Sequence, residues 1–368
     1  MNFDKVSMMI EIDGSYREGG GQILRTALSL SCLFQKPFRI LNIRKDRKIP
    51  GLRPQHLTCV HAAKLLSNAE VAGDYIGSTE LLFSPRKMQT GEFFFDIGTA
   101  GSTSLVLQTL IPAIVFSNIS GNQKSTITLK GGTHVPFSPS FHYLNNIFAS
   151  FLKKLGIEIS ISIESYGFYP QGGGKIRAEI VPVKNIKPLN ITERGALLKL
   201  RGYSGVGNLP LSIAERQRNT MLEEISSSVI HPHPPLIKWG FENIDIELLN
   251  VSTPGQRTFI FLQAESEHST AGFTSLGERR KMAEIVGEEA AKEFLTYYAT
   301  DAALDPHMAD QIVLYLSMCN ERSVFTTSCI TEHLMTNLWA IGLFHAYKYS
   351  VEGEPGKPWI VRINKTPP

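Results

Sequence analysis

The stretch that decides the fold of this chain is Arg17-Glu18-Gly19-Gly20-Gly21-Gln22-Ile23-Leu24-Arg25. Its three glycines stand between a carboxylate and apolar residues at helical spacing, namely Ile23, Leu24, Ala27, Leu28 and Cys32. This pattern predicts a tight turn that opens a helix. Glycine permits close backbone approach, and the start of a helix presents N–H groups and a positive dipole end. The turn therefore predicts an anion site in which Glu18 binds a divalent cation beside a phosphate. An ordinary strand-to-helix turn is the competing interpretation.

The composition is typical of a globular protein with more than one domain. The 368 residues are 42% hydrophobic, which allows a substantial core and about two or three domains. A net charge of +3 is too small to indicate a nucleic-acid partner. The charge is stronger locally, because six basic residues accompany the single acid Asp46 in one short stretch: Arg39, Arg44, Lys45, Arg47, Lys48 and Arg53.

The cysteines and the apolar runs predict a soluble, intracellular protein. The four cysteines form no Cys-x-x-Cys pair and lie mostly among apolar residues, which favours reduced thiols. The longest apolar run, 105–116, contains Gln108 and Pro112 and is too short to span a bilayer. Residues 1–10 lack the features of a signal peptide. We expect a cytoplasmic location, with the nucleus left open, and no membrane partner.

A second glycine turn indicates an internal repeat. Gly98-Thr99-Ala100-Gly101-Ser102 opens another apolar helix, 80 positions after Glu18. A third instance is read at 167–174, which contains Gly172-Gly173-Gly174. Such spacing predicts stacked units, each a small sheet covered by helices, and chance similarity of glycine turns is the alternative.

The composition changes around 182–188, which predicts an inserted unit. A strand, a helix over 212–226, a proline-rich loop with His231 and His233, and two more strands follow. The stretch 272–277 is read as the return to the main body, where a helix over 281–297 resumes the repeated pattern. We therefore predict a core of 1–183 and 277–368, with 184–276 inserted.

Two histidines are candidates for chemistry. His333 follows small and hydroxyl residues at the start of an apolar helical run, where the helix dipole disfavours imidazolium and keeps a ring nitrogen available as a nucleophile. His307 follows Asp305-Pro306, a typical helix start, and shares a helical face with Asp310 and Gln311. Asp310 is hypothesised to orient His333 directly. The alternatives are a structural histidine and a solvated helix face.

The common nucleotide motifs are missing from the sequence. It contains no Gly-x-x-x-x-Gly-Lys-[Ser/Thr], and the glycine turn does not extend to Gly-x-Gly-x-x-Gly. His56 and His61 do not have metal-ligand spacing. A bound nucleotide would use another cradle.

With these residues in place, the chain resembles the RNA 3′-terminal phosphate cyclases along nearly its whole length. The motifs that carry the resemblance are Asp13-Gly14, Glu18-Gly19-Gly20-Gly21-Gln22-Ile23-Leu24-Arg25, Pro50-Gly51-Leu52-Arg53-Pro54-Gln55-His56-Leu57, Thr99-Ala100-Gly101-Ser102 with Gln108, Gly131-Gly132-Thr133, Gly167-Phe168-Tyr169-Pro170 with Gly172-Gly173-Gly174, Ala309-Asp310-Gln311, and His333-Leu334-Met335-Thr336-Asn337. Each is weak alone, but their order and spacing are specific.

The resemblance implies the fold and the reaction. The fold is α+β, with repeated units of a four-stranded sheet and two helices, similar to enolpyruvyl transferases, plus a smaller inserted domain. The reaction is the ATP-dependent cyclisation of an RNA 3′-phosphate end to a 2′,3′-cyclic phosphodiester, a ligase-type activity in RNA processing. In the family a histidine takes AMP from ATP, AMP passes to the 3′-phosphate, and the 2′-hydroxyl closes the ring.

The resemblance also implies roles for individual residues. The matching nucleophile is His333, and Glu18 matches a carboxylate that binds a divalent metal, Mg or Mn. The positions that match nucleotide or phosphate contacts are Arg25, Arg44, Gln55, Gln108, Pro136, His307 and Asp310. His307 stands where some relatives have a tyrosine against the adenine, and its smaller ring bears on adenine affinity and nucleotide preference.

Two other functions compete with the cyclase hypothesis. One is a non-catalytic cyclase-like protein that assists ribosome assembly, which would need no nucleophile together with a metal carboxylate. The other is an enolpyruvyl transferase, which would not explain the ordered cyclase motifs. The sequence leaves the physiological RNA and the oligomeric state open.

Overall fold

The computed structural model describes residues 9–117, 123–228, 244–354 and 357–365. The proline-rich loop with His231 and His233, and Met8 at the predicted start of the first strand, lie outside these residues. The described chain folds into four sheets of four strands each, with helices packed against them. The predicted α+β class is therefore confirmed.

The glycine turn lies inside the first repeat unit. In chain order this unit contains β1 (Ile10–Asp13), α1 (Gly21–Phe34), β2 (Phe38–Leu41), α2 (Pro54–Ser67), β3 (Glu70–Ala72) and β4 (Leu81–Ser84). The strands lie in the order β1-β2-β4-β3, with β1 and β2 parallel and the other pairs antiparallel. The apolar stripe of α1 faces the core, and the helix ends at Gln35 in the left-handed conformation, just before Pro37.

The second unit repeats this topology, which confirms the predicted repeat of its glycine turn. It contains β5 (Glu92–Asp96), α3 (Thr103–Val115), β6 (Ser125–Gly131), α4 (Phe141–Tyr143), a π-helical segment (Leu144–Phe148), α5 (Ala149–Lys154), β7 (Ile159–Ser165) and β8 (Gly174–Ile180). The strand order is β5-β6-β8-β7. Ser102 caps α3, because its side chain accepts a hydrogen bond from the Leu105 amide at 3.2 Å.

The third unit begins with one short strand and is then interrupted. After β9 (Asn190–Ile191), the chain forms β10 (Leu197–Gly207), α6 (Leu211–Ser227), β11 (Ile244–Asn250), β12 (Arg257–Ser266), β13 (Thr270–Leu276) and α7 (Ala283–Tyr298). This inserted sheet has a different order, β11-β10-β12-β13. It also has a hydrophobic core of its own with α6 and α7, which includes Met221, Ile260 and Phe294.

The rest of the third unit follows the insertion. It contains α8 (Pro306–Ser317), β14 (Ser323–Thr327), α9 (Glu332–Phe344), β15 (Tyr347–Glu352) and β16 (Trp359–Lys365). The order β15-β16-β14-β9 matches the first two units, since β9 and β14 are parallel and β16 is antiparallel to both of its neighbours. One hydrophobic core joins the three units. The helices α1, α3 and α8 therefore occupy equivalent positions.

Two features of the predicted organisation were wrong. The glycine stretch at 167–174 opens no helix, because it connects the antiparallel strands β7 and β8. The stretch at 272–277 does not return to the main body, since it belongs to β13 at the edge of the inserted sheet. Both errors arise because glycine marks a change of direction without specifying the element that follows.

The packing suggests revised limits for the inserted unit. Residues Asn190 and Ile191, which fall in the predicted insertion of 184–276, pair with β14 of the third unit. Helix α7, which was assigned to the core of 277–368, packs on α6, β12 and β13. We propose that the inserted unit spans 197–298 and that the main body comprises the rest of the chain.

The state of the cysteines and the length of the helices relate to the expected reduced thiols and the expected lack of a membrane span. All four cysteines are free; Cys32, Cys59 and Cys319 are buried and Cys329 is exposed. Within the described ranges, the helices are all too short or too polar to cross a lipid bilayer.

Candidate active site

A cavity of about 480 Å³ lies among the equivalent helices of the three repeat units. Its walls come from α1, α3, α8 and α9, with additions from 137–140 and from β13 and α7 of the inserted unit. Five of the predicted site residues line it: Arg25, Gln108, His307, Asp310 and His333. The repeat therefore brings together side chains that are more than 300 residues apart in sequence.

The glycine turn is shaped by backbone conformation and by a buried histidine. Gly19 has φ of +58°, which glycine adopts without strain. A Cβ at Gly21 would lie 2.1 Å from Nε2 of His56, so only glycine fits beside this ring. Burial lowers the pKa of His56 to about 3, and its Nδ1 accepts a hydrogen bond from the Arg53 amide at 3.2 Å. The neutral ring therefore packs against the glycine turn at Gly21.

His333 is the second residue of α9 and is held from two sides. Its Nδ1 lies 2.7 Å from Oε2 of Glu18, and Gln22 donates a hydrogen bond to its backbone carbonyl at 2.8 Å. Burial lowers the pKa of His333, an effect that Glu18 opposes and Arg25 reinforces. The side chain is nevertheless 47% exposed. With Nδ1–H donated to the carboxylate, a neutral ring keeps its lone pair on Nε2.

Glu18 links this histidine to the basic loop. Its second oxygen, Oε1, forms an ion pair with Arg47, and its side chain remains 32% exposed. Glu18 itself does not line the cavity, but it contacts His333, which does line it. The N-terminus of α1 next to it has no side-chain cap, so its first amides are free to bind an anion.

Asp310 does not orient His333 directly, so that hypothesis is wrong. Its carboxyl oxygen Oδ1 accepts a hydrogen bond from the hydroxyl of Thr331, the N-cap of α9, and Thr331 in turn accepts from the Leu334 amide at 3.0 Å. The Asp310 carbonyl accepts from Asn337 Nδ2 at 2.7 Å. Asp310 therefore fixes the first turn of α9, while Glu18 contacts the imidazole. The two roles could be separated only by the tertiary structure.

Asp310 makes the stability of the protein depend on pH. Burial raises its pKa from 3.8 to about 8, so the native state keeps a proton that the unfolded chain releases near pH 4. The free energy of unfolding should therefore fall between about pH 4 and pH 8. We expect Asp310→Asn to flatten this dependence and to gain stability relative to the wild type as pH rises, as measured by urea denaturation at several pH values.

A surface aspartate provides the control for this measurement. Asp96 accepts a hydrogen bond from the Gly98 amide at 2.8 Å, and this bond lowers the pKa of its carboxyl. It is ionised in both states above pH 5, so Asp96→Asn should leave the slope between pH 5 and pH 8 unchanged. An Asp310→Asn variant that retains the full wild-type slope would contradict the assignment of the proton to Asp310.

The start of α8 confirms the sequence pattern in detail. Asp305 is the N-cap, accepting from the Met308 amide at 2.9 Å, and Pro306 is the first helical residue. His307 is exposed and lines the cavity, with its ring 6.3 Å from that of Tyr143 in an edge-on arrangement. Gln311 accepts a hydrogen bond from Gln108, which joins α8 to α3. The face is therefore a cavity wall.

Besides Glu18, three further predicted residues lie outside the cavity lining. The Arg44 guanidinium donates to the carbonyls of Ile49 and Gly51 at 3.0 and 2.9 Å, within its own loop. Gln55 accepts from the Ser102 amide at 2.8 Å and joins the first two units. Pro136 is exposed beside residues 137–139, which do line the cavity. Their contacts with a nucleotide remain predictions.

The structure also brings in residues that were not singled out. Arg47 was counted in the basic loop, where nothing distinguished it from its neighbours. Thr26 donates to Asn337 at 2.8 Å, which ties α1 to α9. Glu293, from α7, lines the cavity, and burial raises the pKa of its carboxyl. Thr26 and Asn337 are polar residues within apolar helices, and this pattern could have identified them from the sequence. No sequence pattern distinguishes Glu293 from the other acidic residues of its helix.

The fold and the cavity define an α+β repeat protein whose site combines a histidine, a carboxylate and arginines suited to phosphate chemistry. The family model described as RNA 3′-terminal phosphate cyclase matches residues 16–351. A protein of Sulfolobus acidocaldarius with the name RNA 3′-terminal phosphate cyclase is 44% identical over 357 residues, covering 96% of this chain and 100% of that protein. This chain belongs to the RNA 3′-terminal phosphate cyclase family, as its motifs implied.

A second relative has the same name, whereas the similarity to a solved structure is weak. A protein of Pyrococcus abyssi with the same name is 40% identical over 355 residues, covering 96% of this chain and 98% of that protein. The crystal structure of the enolpyruvyl transferase NikO from Streptomyces tendae matches with 9% identity and a TM-score of 0.24, over 99% of this chain and 83% of that one. A TM-score this low supports no argument.

Proposed function

We propose that this protein is an RNA 3′-terminal phosphate cyclase, an ATP-dependent ligase that converts an RNA 3′-phosphate end to a 2′,3′-cyclic phosphodiester. Family membership supports the substrate class. The observation that carries the mechanism is the contact between His333 Nδ1 and Glu18, at 2.7 Å, beside a cavity that His333 lines. A binding scaffold would not need this pairing.

The first step assigns His333 as the nucleophile. Because Glu18 accepts a hydrogen bond from Nδ1–H, Nε2 presents its lone pair, and the lowered pKa of His333 keeps the ring neutral. Nε2 attacks the α-phosphorus of ATP, the bond to the β-phosphate oxygen breaks, and diphosphate leaves. A covalent histidine–AMP adduct results.

The second and third steps take place on the RNA end. An oxygen of the RNA 3′-phosphate attacks the phosphorus of the adduct, and the N–P bond to His333 breaks. The neighbouring 2′-hydroxyl then attacks the activated 3′-phosphate, loses its proton to solvent, and expels AMP. Two covalent exchanges replace one difficult condensation, which is the usual advantage of nucleophilic catalysis.

Positive charge around His333 suits this chemistry. Arg25 lines the cavity, and burial lowers its pKa. Because a guanidinium stays protonated in proteins, Arg25 remains a cation that can form charge-assisted bonds with phosphate. The free amides at the start of α1 add donors that cost no reorganisation. We propose that Arg25 and this helix end hold the triphosphate.

Glu18 suits a metal ion that is shared with phosphate. Among the described residues no group of three or more His, Cys, Asp or Glu side chains can hold a metal alone. Magnesium, however, is commonly held by one or two carboxylates together with substrate phosphates. Glu18 is a single, partly exposed carboxylate beside the cavity, and it fits that arrangement. It would hold the ion, which when bound offsets charge on the phosphates.

The experiment uses purified protein, Mg²⁺ or Mn²⁺, and ATP labelled at the α-phosphate. We expect acid-labile label on the protein, and its release as AMP when an RNA oligonucleotide with a 3′-phosphate is added. The RNA product should resist phosphatase, since a cyclic phosphodiester has no terminal monoester. Absence of label under both metals would overturn the mechanism, and absence of both label and cyclic product would leave the binding-scaffold alternative.

A further inference from the structure

One aromatic side chain on the cavity wall is fully exposed in the described part of the chain. Phe137 lines the cavity and has a relative exposure of 103%, more than any other large hydrophobic residue among those described. Large apolar side chains are normally withdrawn from water, because their burial is favourable. Such a fully exposed ring at the cavity is therefore unusual.

The backbone at Phe137 is also in an uncommon conformation. Its φ is +60°, in the left-handed region that bulky residues rarely adopt. The loop on both sides is anchored: Ser138 donates to the Val135 carbonyl at 3.0 Å, and the Phe141 amide donates to the Thr133 carbonyl at 2.9 Å. An anchored loop that holds an exposed ring in a strained conformation is typical of a binding position.

The cavity already contains the chemistry of a nucleotide site. Its volume of about 480 Å³ lies within the range of roughly 300–1,000 Å³ that is usual for small-molecule pockets. His307 lines the same cavity, but an imidazole has a smaller face than a six-membered ring. The other six-membered rings in this lining, those of Tyr143, Phe148 and Tyr315, are buried, so Phe137 supplies the exposed six-membered face.

We propose that Phe137 is a specificity-determining residue that stacks on a nucleobase at the cavity. The proposal rests on the proposed function, because it takes ATP and RNA as the ligands. The base is either the adenine of ATP or the terminal base of the RNA, since both have the same planar, heteroaromatic chemistry. Stacking buries the ring and uses no sequence-specific hydrogen bond.

Steady-state and single-turnover kinetics distinguish the two sources. Stacking on an aromatic residue corresponds to a change in KM between about 5-fold and about 150-fold on substitution by alanine. If adenine is the ligand, Phe137→Ala should raise the KM for ATP by this factor and slow self-labelling without RNA. If the terminal base is the ligand, only the KM for the RNA should rise, and an oligonucleotide with an abasic 3′ nucleotide should lose the difference between variant and wild type.

Three further variants separate stacking from other effects. Phe137→Tyr keeps the planar ring and should stay close to the wild type, whereas Phe137→Leu keeps apolar bulk without a π face and should resemble the alanine variant. Phe94, on β5, is 58% exposed and does not line the cavity, so Phe94→Ala should change neither KM. The melting temperatures of all variants should match that of the wild type, because the Phe137 and Phe94 rings are both exposed.

The proposal is overturned if Phe137→Ala leaves both KM values within about twofold of the wild type. It is also overturned if the leucine variant equals the tyrosine variant, because the planar face would then be irrelevant. Failure of the proposed function is a different result: the wild type itself would neither acquire label from ATP nor cyclise the RNA. Wild-type activity therefore decides which of the two proposals has failed.

Discussion

Replacement of His333 by alanine is expected to abolish transfer of AMP from ATP to the protein. The imidazole is the proposed nucleophile, and loss of a nucleophile costs at least about 10³-fold in rate. The ring is 47% exposed, so its removal should have little effect on stability. The measurement is the rate of label incorporation from α-labelled ATP, with the melting temperature as a check on folding.

A matched control is available on α2. His61 has a similar exposure of 50% and lies 3.6 Å from a carboxylate, Asp74, but it lines no part of the cavity. His61→Ala should therefore acquire label at the wild-type rate. Wild-type labelling of the His333→Ala variant would contradict the mechanism and would require another nucleophile. A second test uses RNA that has already been adenylated at its 3′-phosphate, which His333→Ala should still cyclise, because ring closure follows the histidine step.

The first two repeat units could be predicted because each begins with a glycine turn and an apolar helix. Both turns combine small residues with an apolar stripe at helical spacing, and such local patterns specify the start of a helix. In α1 the residues Ile23, Leu24, Ala27 and Leu28 are indeed buried. The prediction succeeded where the information was local.

The third unit was harder to predict because the inserted unit separates its first strand from its first helix. Its first strand, β9, has only two residues, and about 100 residues of inserted chain separate it from α8. A strand this short has no measurable alternation, and its pairing with β14 is a long-range contact. Helix α7 has the same kind of amphipathic pattern as the core helices, so pattern alone could not assign it to the inserted sheet.

The site shows the same division between local and long-range information. The positions of His333 at the start of α9 and of Asp305 as the cap of α8 follow from local pattern and were correctly predicted. The partner of His333 was not, because Asp310 and Glu18 are equally plausible carboxylates until the units pack together. Arg47 likewise resembles the other basic residues of its loop until its contact with Glu18 is seen.

Replacement of Glu18 by alanine is expected to slow self-adenylation by about 10- to 100-fold or more, the usual effect of removing a group that orients a reactive side chain. The variant loses the acceptor for Nδ1 of His333, the partner of Arg47 and the proposed metal ligand. Stability should change little, because a partly exposed ion pair contributes only about 0–1 kcal/mol. The measurements are the single-turnover labelling rate, its dependence on metal concentration, and the melting temperature.

Two further variants show which property of Glu18 matters. Glu18→Gln keeps an oxygen that can accept a hydrogen bond from Nδ1–H but has no charge, so partial recovery at saturating metal would assign the larger part of the effect to orientation. Glu332 provides the control, because it forms a 2.9 Å ion pair with Arg17 in the same region and its side chain is 61% exposed. Glu332→Ala should label at the wild-type rate. If Glu18→Ala also labels at the wild-type rate, the role of Glu18 is neither to orient His333 nor to bind a metal. If Glu18→Ala unfolds, the carboxylate is structural, because the turn then needs the contacts of Glu18 with Arg47 and His333 to form.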